Sequence, residues 1–155
     1  METEAMAGLA TERARIHAMW SALLRTQRPS NPLKSPEALI PLIAWALDEL
    51  FYAVASRPSS TPAEVSPGNL TGKACCGENP YDFFFSVGFQ AVLEGLVRSQ
   101  ASSFDLSASE RDDSLQIVRR AFLGISDRER AAFCGICRHG FAGAGRRDAP
   151  GANES

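Results

Sequence analysis

The chain has 155 residues, 45% apolar and 22% charged, the balance of a folded domain rather than a disordered segment, and at this size one core buries about 70% of the surface the unfolded chain exposes. Sixteen basic against 18 acidic residues leave a net charge of -2, which offers nucleic acid no overall attraction. No run approaches the roughly 20 apolar residues of a membrane-spanning helix, and Glu2 and Glu4 stand where an export signal carries basic residues, so a cytoplasmic protein with no membrane partner is expected.

Residues 1–10 are expected to form a flexible N-terminus, followed by one helical domain over 11–139. Ile16, Met19, Trp20, Leu23 and Leu24 recur at helical spacing and predict a first helix over about 11–26. Pro29, Pro32 and Pro36 break the chain. Ser35-Pro36-Glu37 then supplies an N-cap, a proline at the first helical position and an acid at the positive end of the helix dipole. The second helix carries Leu39, Ile43, Ala46, Leu47, Leu50, Phe51 and Val54 to about position 56, and Pro41 is tolerated only if the helix begins near Ile40. Three prolines and two glycines make 57–74 a long loop.

Asn79-Pro80-Tyr81-Asp82 opens the next helix, to about position 99. Phe84, Phe85, Val92, Leu93, Leu96 and Val97 cover more than one of its faces, which makes it the central helix, with Gly88 admitting a close neighbour. Ser107 and Glu110 form a capping box before a fourth helix with Leu115, Val118 and Phe122 on one stripe, and Gly124 is placed to end it. Ser126 and Glu129 repeat the box before a short fifth helix through Phe133 and Ile136, and 140–155 reads as a frayed tail. The expected architecture is all-α, a bundle of four long helices plus a short C-terminal helix.

Four cysteines in a chain expected to stay in a reducing compartment favour metal ligation or redox chemistry over a static disulfide framework. Cys75 and Cys76 precede the Asn79 cap, while Cys134, Cys137 and His139 close the last helix. A two-residue spacer lets two thiolates point at one ion, about 2.3 Å from zinc each, and a distant pair completes a tetrahedron when the fold closes. Adjacent cysteines share an ion poorly, so the expected zinc ligands are Cys76, Cys134 and Cys137, with His139 or Cys75 as the fourth; an iron-sulfur cluster would use the same donors. Against this stands the use of cysteine as a small buried filler.

Other candidates are plainer. CGICRH has one residue too many before its histidine for haem attachment, and its CxxC ends a helix where a thioredoxin-type site begins one. It also resembles the CxxC of helical alkylhydroperoxidase-type proteins, without their spacing to histidine. His17 reads as a packed or surface side chain, and Asp48 and Glu49, being adjacent, as a solvated face. Positions 114–147 hold seven arginines and two acids, a basic end without the exposed aromatics of a nucleic-acid reader.

Asn79-Pro80, followed after seven residues by Gly88-Phe-Gln-Ala-Val-Leu-Glu-Gly-Leu96, resembles the asparagine-proline to glycine helix in helical N-terminal sensor domains of stressosome-type co-antagonist regulators, over about 19 residues at 79–97. The resemblance implies a helical sensing or docking module. The expected function is a non-enzymatic helical regulatory or adaptor protein with a structural or redox-responsive Cys/His metal site and a protein partner, homo-oligomerisation remaining open. The alternatives are a thiol oxidoreductase using Cys134 and Cys137 and a binding module with a basic C-terminal end.

Overall fold

The computed structural model describes residues 2–29, 31–56 and 79–136. Their elements are α1 (Glu2–Thr11), α2 (Arg13–Thr26), a 3-10 turn (Pro32–Lys34), α3 (Pro36–Leu39), α4 (Leu42–Ala55), α5 (Pro80–Ala101) and α6 (Ala108–Ile136), with no strand among the described residues. The protein is all-α. None of these helices is long and apolar enough to cross a membrane.

Three of the helix starts read from sequence are made as the side-chain chemistry requires. Ser35 Oγ accepts from the Ala38 amide, Asn79 Oδ1 accepts from the Tyr81 amide, and Ser107 and Glu110 exchange bonds, with the Ser107 amide donating to Glu110 Oε2 at 2.8 Å and the Glu110 amide donating to Ser107 Oγ at 3.2 Å. The Ser107 backbone bond, followed by its hydroxyl, holds the Glu110 carboxyl below its ordinary range. At Pro41 the helix divides into α3 and α4, because proline cannot donate to the carbonyl four residues back and its ring crowds that carbonyl.

Two expectations are corrected. Residues 2–10, part of the terminus read as flexible over 1–10, belong to α1, and Leu9 is wholly buried. Gly8 brings α1 so close to α5 that a Cβ there would lie 2.3 Å from Ser99 Oγ, a contact formed with a residue far along the chain. The short C-terminal helix is not separate, since α6 runs unbroken through Gly124 and Ser126 sits buried inside it instead of capping a new helix. Its buried positions, Ser114, Val118, Phe122, Ile125 and Ser126, stay in phase across the glycine, so burial outweighs the local stop signal.

The core lies where α2, α4, α5 and α6 meet, with Trp20, Ile43, Leu47, Phe84, Val92 and Val118 fully buried. Each such side chain contributes about 1.5–3 kcal/mol of transfer free energy. The α1–α2 arm runs antiparallel to α5 along a seam of small residues, Trp20 facing Gly88, Ile16 facing Gly95, and Gly8 facing Ser99. The Trp20 indole donates to the Phe84 carbonyl at 3.1 Å and its ring lies 4.7 Å from the Phe84 ring and 5.9 Å from Phe122. Such aromatic pairs add about 0.5–1.5 kcal/mol each beyond area burial.

A Cβ at Gly124 would meet nothing within 4 Å. Gly124→Ala is therefore expected to raise stability by about 0.5–1 kcal/mol through helix propensity alone, seen as an upward Tm shift of about 2–4 °C in thermal unfolding. A lower Tm would mean that α6 depends on a bend at this position.

Candidate functional site

The start of α5 and the end of α6 meet at one buried side chain. Asn79 is 1% exposed and bonds in two directions. Its Oδ1 caps α5 through the Tyr81 amide at 3.0 Å, while Nδ2 donates to the Arg130 carbonyl at 3.2 Å and to Cys134 Sγ at 3.7 Å. Pro80 fills the first helical position, where a missing N–H costs nothing.

Around this junction, Tyr81 stacks on Phe85 with centroids 5.9 Å apart and meets Phe133 edge-on at 6.2 Å. Burial, and then the nearby Glu129 carboxylate, pushes the Tyr81 phenol above its ordinary value of 10, so the ring stays neutral and suits an apolar contact. Arg130 pairs with Asp82 across the two helices and lies 3.8 Å from Asp127. The junction is thus closed by an amide, a ring cluster and an ion pair, all joining α5 to α6.

Of the five residues proposed as metal ligands, Cys134 is half-buried beside Asn79. Cys75, Cys76, Cys137 and His139 lie outside the described residues. Among the described residues, no three His, Cys, Asp or Glu side chains converge as an ion-binding group. No protein-family model, curated protein or solved structure matches the chain.

The remaining sequence candidates fall on surfaces or in the core. His17 is half-buried, and the hydroxyl of Ser21, one turn on, donates to its carbonyl at 2.8 Å. Asp48 pairs with Arg13 at 2.7 Å and Glu49 with Arg128 at 3.0 Å, so the adjacent acids serve two different helices. Phe84 and Phe85 pack in the core, with Phe85 5.6 Å from Phe122. Two of the basic-end arginines, Arg128 and Arg130, are engaged by acids, which lowers the positive field that the sequence count implies.

Sequence reasoning treated Asn79 only as an acceptor. The signal for its second role was the choice of asparagine, since aspartate caps a helix equally well but has no N–H to donate. It also missed Glu12 at the break between α1 and α2, whose Oε2 is buried without a hydrogen bond, 3.8 Å from Arg98 Nε.

Proposed function

We propose that the chain is a non-enzymatic helical regulatory or adaptor protein of the reducing cytoplasm, in which a metal clip ties the entrance of α5 to the end of α6. The ligands in this reading are Cys76, Cys134 and Cys137 with His139 or Cys75, holding zinc or an iron-sulfur cluster. The observation that carries it is the bond from Asn79 to Cys134. Cys76 is three residues from Asn79, so the covalent chain keeps their Cα atoms within about 11 Å. Cys137 is three residues beyond Cys134 under the same limit.

The donor chemistry agrees with that placement. An N–H bonded to a metal-bound sulfur is the usual outer partner of a thiolate, fixing its orientation and stabilising its charge. Asn79 offers such a donor from a position locked by its other two bonds. Bound zinc would supply a structural cross-link and no chemistry of its own. In support of a non-enzymatic role, Asp48, Glu49, Asp82 and Glu94 are each engaged by an arginine. An exposed helical surface with a metal-locked end suits docking to a protein partner, the role the sensor-domain resemblance implies.

Elemental analysis of protein purified without added metal should give about one equivalent of zinc or a cluster's iron, falling below about 0.2 in Cys134→Ser, with a chelator lowering the Tm of the parent protein alone. Metal content below about 0.2 equivalent in the parent would remove this reading. Peroxide or disulfide turnover that survives chelation would replace it with a thiol oxidoreductase using Cys134 and Cys137.

A further inference from the structure

A groove of about 400 Å³ between α5 and α6 changes character along its length. On α5, Asp82, Phe85, Ser86 and Phe89 recur at helical spacing and share one face, and Phe122, Ser126 and Arg130 meet them from α6 at intervals of four. The two helices run antiparallel. One end of the groove therefore holds the ion pair of Asp82 with Arg130, and the other holds Phe89 against Phe122, their ring centroids 5.5 Å apart. From position 82 to 89 the helix advances about 10 Å.

Ser126 lies between the two ends. It is 7% exposed, lines the groove, and its hydroxyl bonds to nothing among the described residues. Ser21 and Ser114, buried in helices in the same way, return their hydroxyls to the carbonyl one turn back at 2.8 and 2.7 Å. The Ser126 hydroxyl makes no such bond and is left as a donor and acceptor for whatever enters the groove. Leu123, also in the lining, is 43% exposed, apolar area that the core does not use.

We propose that this groove binds a small aromatic molecule with a neutral hydroxyl head, its rings among Phe85, Phe89 and Phe122 and its head on Ser126 and the ion pair. The three phenylalanines already make edge-on and tilted contacts with one another, and a flat ring extends that cluster. Charge selects the head. An anion would face the carboxylates of Asp82 and Asp127, and a cation would face the Arg130 guanidinium. A neutral hydroxyl donates to the carboxylate, accepts from the guanidinium and meets Ser126, which does both. Ser86, one turn on from Asp82, adds a second hydroxyl on the α5 side. A two-ring phenol matches both the length of the groove and its passage from apolar to polar.

Titration calorimetry of the full chain with 2-naphthol should give one site with a dissociation constant of about 10–300 μM. Naphthalene, which lacks the head, and 2-naphthoate, whose head is an anion, should bind about tenfold more weakly or worse in ligand-detected NMR. Ser126→Ala removes the hydroxyl without adding volume. It should weaken 2-naphthol about fivefold and shrink its advantage over naphthalene, with helical circular dichroism unchanged. Failure of 2-naphthol to bind below about 1 mM overturns the proposal. So does equal affinity for the three probes, which would describe a greasy surface, or an affinity indifferent to Ser126→Ala. Metal content enters none of these readings, so the site stands or falls apart from the clip.

Discussion

Gly88→Ala is expected to destabilise the fold by about 3 kcal/mol, although alanine is the better helix former by about 1 kcal/mol. The added Cβ would lie 2.1 Å from Trp20 Cζ2 and 2.3 Å from Cε2. Trp20 is fully buried, with its indole N–H committed to the Phe84 carbonyl, so the ring cannot swing away. Relief requires moving α2 off α5 or breaking that bond, and either loses far more than helix propensity returns. In thermal unfolding the loss amounts to about 10 °C. Trp20→Phe alone should also destabilise, but the Gly88→Ala, Trp20→Phe double variant should be more stable than the sum of the single effects predicts, by about 1 kcal/mol or more. Strict additivity, or a neutral Gly88→Ala, would refute the close seam.

Asn79→Asp should cost about 2 kcal/mol and Asn79→Ala about 2–3 kcal/mol, an unusual pairing for an N-cap, where aspartate normally substitutes freely for asparagine. Aspartate keeps the bond from the Tyr81 amide and gains from the helix dipole. It cannot donate to the Arg130 carbonyl or to Cys134 Sγ, and it sets an anion against both acceptors in a site that is 1% exposed. Chemical denaturation checks the stabilities, and the alkylation rate of Cys134 reads the junction directly, rising in both variants as α6 loosens from α5. An aspartate variant as stable as the parent would mean that the link to α6 contributes nothing.

Both expectations concern residues whose local role was legible while their partner was not. Asn79 announces a helix start by standing before Pro80, yet its amide partners lie 51 and 55 residues away, at Arg130 and Cys134. Gly88 signals a close approach without naming the ring that makes it. Gly124 and Ser126 gave the opposite lesson: their local chemistry favours an end and a new start, and the continuous buried stripe through Phe122 and Ile125 overrides both. At the cysteines, one of five proposed ligands is placed, next to the cap that sequence had set beside Cys76.

Sequence alone determined the helical class and the caps at Ser35, Asn79 and Ser107, because each depends on hydrogen bonds and steric contacts within a few residues, and it marked Pro41 as a weak point without deciding whether the helix starts there or divides. Tertiary structure decided the rest: whether 2–11 is helical, whether α6 breaks, which side chain fills the space left by Gly88, and which helix end receives Asn79. Those outcomes depend on apolar area and donor groups meeting across most of the chain's length, and short-range chemistry contains no term for a partner it cannot reach.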